Sequence, residues 1–239
     1  MSNQASIILQ QLTIGYGAKV VQHDLTLTLN TGEMVCMLGR NGCGKSTLLR
    51  TLAGLQPALG GQYKIDDVAV VLTDRLNLEN TSVRDVVAMG RYPYTSFLGT
   101  LTPEDERIVD ESMREVFGDS MSSLNARLFN SLSDGEKQRV LIAKALAQKT
   151  SVILLDEPTA HLDLPNRIMV LRLLRRLAHE QGKTILISTH ELELALNLSD
   201  RILLLSDEGA VLDSAKALRQ SDAFEKAFGM NIFDMSTIE

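Results

Sequence analysis

The run Gly39-Arg40-Asn41-Gly42-Cys43-Gly44-Lys45-Ser46-Thr47 has the spacing G-x-x-x-x-G-K-[ST]. A triphosphate crowds negative charge onto closely spaced oxygens. Several backbone N–H groups can converge on those oxygens only where side chains leave the approach open, and Gly39, Gly42 and Gly44 provide that opening. A helix starting near Lys45 adds its unpaired N–H groups and the positive end of its dipole. The Lys45 ammonium is then expected to reach the β- and γ-phosphates, and the Ser46 hydroxyl to ligate Mg²⁺. Arg40, Asn41, Cys43 and Thr47 belong to the same nucleotide-binding run. The competing reading is a glycine-rich turn that fits the pattern by chance. Cys43 beside Lys45 has two readings, a redox-sensitive thiol and a small filler side chain.

A second chemical feature is Val152-Ile153-Leu154-Leu155-Asp156-Glu157, an apolar run closed by two carboxylates. Adjacent charges at the end of a buried strand are costly unless a cation or hydrogen-bond donors meet them. Behind a phosphate loop, an aspartate in this position holds the hydrated Mg²⁺ of P-loop NTPases, which implicates Asp156. Glu157 follows where a general base would polarise an attacking water. Without the loop upstream, the same pair reads as a turn start or a helix cap.

The rest of the chain must supply elements that bring these residues together. Residues 6–14, 20–29, 33–38 and 68–72 read as strands, and Leu25, Leu27 and Leu29 alternate with threonines as in a half-buried strand. Gly60 and Gly61 read as a turn. Helices are expected over 45–55, 83–89, 103–117, 134–148, 165–180 and 191–198, with Pro103 suited to a first turn. Ile168, Leu171, Leu174 and Leu177 give 165–180 one apolar face. Further strands fall at 151–155, 184–188, 201–205 and 210–213. Strands alternating with helices imply an α/β fold, a mostly parallel sheet covered on both faces. Residues 73–131 differ in texture and read as a helical insert, with Gly90-Arg91-Tyr92-Pro93-Tyr94 as a loop of surface character.

The 239 residues, 44% hydrophobic and 23% charged, suffice for one large domain or a domain with an inserted lobe. A net charge of −6 argues against a general nucleic-acid surface. The apolar runs are strand-length, short of the roughly 20 residues of a membrane span. Residues 1–6 lack the basic and apolar regions of a signal peptide. Two cysteines, Cys36 and Cys43, make no disulfide framework and fit a reducing cytosol. Contact with a membrane is therefore expected through a partner.

Leu132-Ser133-Asp134-Gly135-Glu136-Lys137-Gln138-Arg139 resembles the LSGGQ signature of ATP-binding cassette (ABC) ATPases and stands shortly before the acidic strand, as in that family. Ser133 and Glu136 also satisfy the capping pattern S-x-x-E, so the segment is equally a well-capped helix start. The resemblance covers essentially the whole chain. It implies a P-loop NTPase (RecA-like) core from residues 1–72 and 132–239 that includes an antiparallel β subdomain, with an inserted α-helical subdomain at 73–131. ATP and Mg²⁺ are the implied cofactors and ATP hydrolysis the implied reaction. Tyr16, in Gly15-Tyr16-Gly17, resembles the aromatic that stacks on adenine. Ala160-His161-Leu162-Asp163 resembles the loop coupling the two sites of a dimer, and His190 the switch histidine that contacts the γ-phosphate. The implied homodimer is head to tail, each ATP lying between 39–47 of one chain and Ser133, Gly135 and Glu136 of the other.

Two departures from the family stand out. Asp134 and Glu136 replace a glycine and a glutamine, adding negative charge where a γ-phosphate would dock; capping, Lys137 or Arg139 would have to offset it. Thr73, followed by Asp74, stands where the family has a glutamine linking Mg²⁺ to the transporter, and Thr73 is carried over as a metal contact through water.

Gly90-Arg91-Tyr92-Pro93-Tyr94 is similar to a segment in the ATPases of iron–siderophore, haem and cobalamin importers. That likeness implies two ATPase chains beneath two membrane-spanning permease subunits on the cytoplasmic side of the inner membrane. A substrate-binding protein delivers the ligand, residues 73–131 dock on the permease, and no nucleic acid takes part. A rigid exposed turn is the plainer reading of Tyr92-Pro93-Tyr94. The rival functions are a soluble ABC ATPase of DNA repair or translation, a non-catalytic nucleotide-binding module and an exporter ATPase. The insert is short for the coiled coil of DNA-repair members, and translation members usually carry two cassettes. Lys45, Asp156, Glu157 and His190 together favour catalysis.

Overall fold

A computed structural model describes residues 4–72, 78–96 and 99–230. Two strands, β1 (Ala5–Tyr16) and β2 (Lys19–Asn30), lead into β3 (Met34–Leu38) and α1 (Lys45–Leu52), followed by β4 (Gly60–Ile65) and β5 (Val68–Val71). A helical stretch comes next, with α2 (Val83–Ala88), a 3-10 helix (Met89–Tyr94), α3 (Pro103–Phe117) and α4 (Met121–Leu124). The chain then alternates through α5 (Asp134–Ala147), β6 (Val152–Asp156), α6 (Leu164–Gln181), β7 (Thr184–Ser188), α7 (Leu192–Leu198), β8 (Arg201–Ser206) and β9 (Gly209–Asp213). The short helices α8 (Ala215–Arg219) and α9 (Ala223–Phe228) close the described part.

The main sheet runs β5-β6-β7-β3-β8-β9, parallel from β5 to β8 with β9 antiparallel to β8. A separate antiparallel sheet has the order β2-β1-β4. Side chains alternate across a strand, and here that alternation divides two cores. Met34, Cys36 and Leu38 of β3, Ile153 and Leu155 of β6, and Ile202 and Leu204 of β8 face the core shared with α2, α3, α5 and α6. Val35, Met37, Val152, Leu154, Leu203 and Leu205 face the other core, filled by α1 and by Ile7, Leu9, Leu12 and Ile14 of the antiparallel sheet. The main sheet is therefore apolar on both faces, which is why its strands read as continuous hydrophobic runs.

Two expectations change. Gly60 and Gly61 begin β4 rather than a turn. Gly61 takes φ +72, and a Cβ there would lie 2.1 Å from the Gln11 carbonyl oxygen, beside a register shift in β1. The glycine marks a bulge with close backbone approach, not a reversal. Likewise Gly90-Arg91-Tyr92-Pro93-Tyr94 is a 3-10 helix in which Gly90 and Arg91 are buried. The Arg91 guanidinium lies 2.8 Å from Asp105 and donates to the Ala147 carbonyl at 2.9 Å.

Candidate functional site

The segments following β3, β6 and β7 leave neighbouring parallel strands at their carboxyl ends, the edge of an α/β sheet where ligands bind. Residues 39–47 follow β3. Gly39 and Gly44 adopt φ +151 and +105, and an added Cβ would lie 2.4 Å from the Leu205 oxygen at Gly39 and 2.9 Å from Val21 Cγ1 at Gly44. Other residues fit neither position, because both the backbone angle and the space exclude a side chain. Gly44 is the N-cap of α1, and no side chain caps that helix and no acidic residue occupies its first turn. Its first N–H groups face the site without competition from a side-chain carboxylate.

Lys45 is buried, and its ammonium donates to the carbonyls of Gly39 at 2.8 Å and Arg40 at 3.1 Å. The loop thus curls around its own cation. Cys43 is buried as well, and burial pushes its thiol above the ordinary range, against the opposing pull of Lys45. That environment suits a filler side chain rather than a reactive thiolate. Arg40, Asn41 and Gly42 are exposed at the loop tip.

Asp156 closes β6 directly opposite Ser188 of β7. One Asp156 oxygen accepts from the Ser188 hydroxyl at 2.6 Å and from the Ser46 hydroxyl at 3.1 Å. Ser46 and Asp156 therefore put two hard oxygen donors side by side. Mg²⁺ keeps most of its shell as water and phosphate oxygens, so a hydroxyl and a carboxylate are a fitting protein share. Thr73, the third expected metal contact, lies outside the described residues.

Glu157 takes a left-handed backbone angle, φ +48. Its N–H donates to the Ser188 carbonyl at 3.2 Å and to the Ser188 hydroxyl at 2.9 Å. This kink turns the Glu157 side chain out of the strand pattern, and its carboxylate meets His190 Nε2 at 2.5 Å. Tyr16 is half-exposed, and its hydroxyl accepts from Thr47 at 3.1 Å. Tyr16, Lys45, Ser46, Thr47, Glu157 and His190 line one cavity of about 370 Å³.

Ser133, Gly135 and Glu136 do not line that cavity. They form the start of α5, where Ser133 accepts from the Glu136 N–H at 3.3 Å and Glu136 accepts from the Ser133 N–H at 2.9 Å, the reciprocal capping box. Gly135 is buried against Asn166, close to the Asp163 cap of α6. Ser133 and Asp134 are exposed.

Sequence reasoning passed over two residues that shape the site. Ser188 holds both Asp156 and Glu157, and its position as the last residue of β7 just before Thr189-His190 was the available signal. Gln22 is buried and ties the loop down, donating to the Cys43 carbonyl at 2.9 Å and the Ser206 carbonyl at 2.7 Å. A glutamine in an exposed-looking strand carried no such signal.

The family model described as ABC transporter matches residues 22–160. An uncharacterized ABC transporter ATP-binding protein of Methanocaldococcus jannaschii is 42% identical, over 84% of this chain and 73% of that protein. The iron(3+)-hydroxamate import ATP-binding protein of Bacillus subtilis is 37% identical, over 89% and 83% of the two chains. The ferric enterobactin transport ATP-binding protein of Escherichia coli is 32% identical, over 92% and 86%. Among solved structures, a chain assigned to a metal-chelate type ABC transporter in an inward-facing conformation superposes with a TM-score of 0.86 at 30% identity, covering 94% of this chain and 89% of that one. A cassette bound to ADP and phosphate shares the fold, with a TM-score of 0.71 at 24% identity over 87% and 98% of the chains. The matched region contains the phosphate loop, the signature-like helix start and the acidic strand end, and the chain belongs to the ABC transporter family as an ATP-hydrolysing subunit.

Proposed function

We propose that the chain powers an importer of iron complexes (siderophore or haem) or of cobalamin, by binding and hydrolysing ATP between two copies of itself on the cytoplasmic side of the inner membrane. One observation carries the hydrolytic part. The Glu157 carboxylate and His190 meet at the wall of the cavity that Lys45 and Ser46 also line, next to Asp156. Tyr16 offers an exposed ring for the adenine, the loop 39–47 wraps the phosphates, and Lys45 leaves its carbonyl partners to meet them. Ser46 and Asp156 would hold Mg²⁺, which supplies charge neutralisation on the phosphate oxygens. Glu157 takes the proton of the attacking water. His190 orients that carboxylate and reads the γ-phosphate. Ser133, Gly135 and Glu136 of the second copy complete the pocket.

The import reading draws on relatives named for iron(3+)-hydroxamate import and ferric enterobactin transport. It is supported by the form of the segment 90–94. Arg91 is held in a buried ion pair with Asp105, the Tyr94 hydroxyl donates to the Gln148 carbonyl at 2.9 Å, and the rings of Tyr92 and Tyr94 remain exposed. This is a rigid aromatic platform within 73–131, the region that docks on two permease subunits, which a substrate-binding protein loads. Among the described residues no helix is long and apolar enough to cross a membrane; in the proposed complex the permease spans it. The test is co-purification of the permease with this chain, followed by ATP-dependent uptake into vesicles. Uptake of an iron complex, haem or cobalamin is expected; a complex that moves none of the three, or moves its solute outward, contradicts the proposal.

A further inference from the structure

The start of α5 bears two acidic residues, Asp134 and Glu136, in its first turn. Carboxylates there suit the helix dipole but repel an arriving triphosphate. The two cations nearest in sequence do not pair with Glu136. Lys137 forms no ion pair with any described residue. Arg139 lies over the Phe117 ring at 5.1 Å, with its Nε buried and unbonded.

Glu136 is instead met by Arg127, whose Nη1 stands 2.9 Å from Oε1. The other carboxylate oxygen, Oε2, accepts from the Ser133 N–H at 2.9 Å and the Ser133 hydroxyl at 3.0 Å. Both oxygens are engaged, and the carboxylate is folded back onto the cap. The Ser133 N–H first, and then the Ser133 hydroxyl and Arg127, hold the Glu136 carboxyl below its ordinary range, so it is charged at neutral pH. Arg127 is delivered from a fixed backbone. Its N–H donates to the Leu124 carbonyl at 3.0 Å, and its own carbonyl accepts from the Val83 N–H at 2.9 Å. With the two side chains 42% and 23% exposed, the pair adds little to stability. Its electrostatic effect at a phosphate-docking helix start is a different matter.

We propose that Arg127 is a positioning residue for the nucleotide: it neutralises Glu136 and anchors that carboxylate, so that the Ser133 hydroxyl, which donates to Glu136 in the single chain, can turn to the terminal phosphate of a nucleoside triphosphate carried by a second copy of the chain. The proposal rests on the composite-site reading above. It explains how this helix start carries a carboxylate at Glu136 and still accepts a phosphate.

The test uses the full chain with Glu157→Gln, titrated with ATP and Mg²⁺ while its mass is followed by light scattering. This parent should pair. Adding Arg127→Ala should raise the ATP concentration for half-maximal pairing by about tenfold or more, the scale of a close charge interaction near a protein surface. The affinity of the single chain for a fluorescent ATP analogue, set by residues 39–47, should stay within about twofold on that same scale. Adding Glu136→Gln to Arg127→Ala should restore pairing, because the charge that Arg127 neutralised is gone while Asp134 is unchanged throughout; a purely structural arginine is not rescued in this way. Arg127→Gln, which keeps polarity without charge, should behave as Arg127→Ala and serves if the alanine variant does not fold. Pairing indifferent to Arg127, or a double variant as defective as the single, overturns the proposal and leaves the composite site standing. A parent that binds ATP yet stays single overturns both.

Discussion

At the scale of single residues, the proposed mechanism separates groups that bind from a group that reacts. Lys45, Ser46 and the loop backbone gather around the phosphate position, while Glu157 stands apart on a left-handed kink beside His190. Replacing the Glu157 carboxylate by an amide keeps its size and removes its basicity. In the proposed role, Glu157→Gln should lower steady-state ATP hydrolysis by about 10²–10⁴-fold, with ATP affinity from equilibrium titration essentially unchanged. Normal turnover would remove Glu157 from the role of base. The cysteines make a separate prediction. Cys36 is wholly buried and its thiol is pushed up to about 12, chiefly by burial, and burial also raises Cys43. Raising a thiol's pKa removes thiolate at neutral pH, so iodoacetamide should label the native protein slowly at pH 7–8 and rapidly only after denaturation. Fast labelling of Cys43 in the folded protein would restore the redox-sensor reading.

At the scale of elements, α5 links the two ends of the proposed machine. Its start holds the Ser133–Glu136 capping box, and its last turn grips the aromatic platform. Arg91 donates to the Ala147 carbonyl, the Tyr94 hydroxyl reaches Gln148, and a Cβ on Gly90 would fall 2.3 Å from the Lys144 carbonyl oxygen. A helix carbonyl cannot step aside without breaking its own ladder. Gly90→Ala should therefore lower the stability of the folded chain by about 1–3 kcal/mol, as overpacking does, read as a shift in urea midpoint. An unchanged midpoint would mean that the 3-10 helix does not press on α5. These elements also show what the sequence reveals. The capping box, Pro103 in the first turn of α3 and the unbroken apolar runs of β3 and β6 are local patterns, and each appears where local chemistry places it. Gly61 and Gly90 misled because a glycine signals an unusual backbone without saying whether the cause is a turn or a close neighbour.

At the scale of the whole molecule, the order of the sheet brings residues far apart in sequence to one edge. Asp156 faces Ser188 across adjacent parallel strands, and Met37, shortly before the phosphate loop, pairs with that same Ser188. The motifs themselves were legible, because phosphate chemistry demands glycine, lysine and carboxylate at set spacings. Their supports, Ser188, Gln22 and Arg127, were not, since each acts through a partner that only the folded sheet or helix packing supplies. The same scale explains why the capping box at Ser133 lies outside the cavity that holds Lys45 and Glu157. In the proposed mechanism one chain carries both halves of a nucleotide pocket but does not bring them together. A crystal or cryo-EM structure of the Glu157→Gln protein with ATP and Mg²⁺ tests this most directly. The account predicts two chains head to tail, with the Ser133 hydroxyl of one at hydrogen-bonding distance, about 3 Å, from the γ-phosphate bound by residues 39–47 of the other; a triphosphate enclosed by a single chain, with Ser133 turned to solvent, would contradict it.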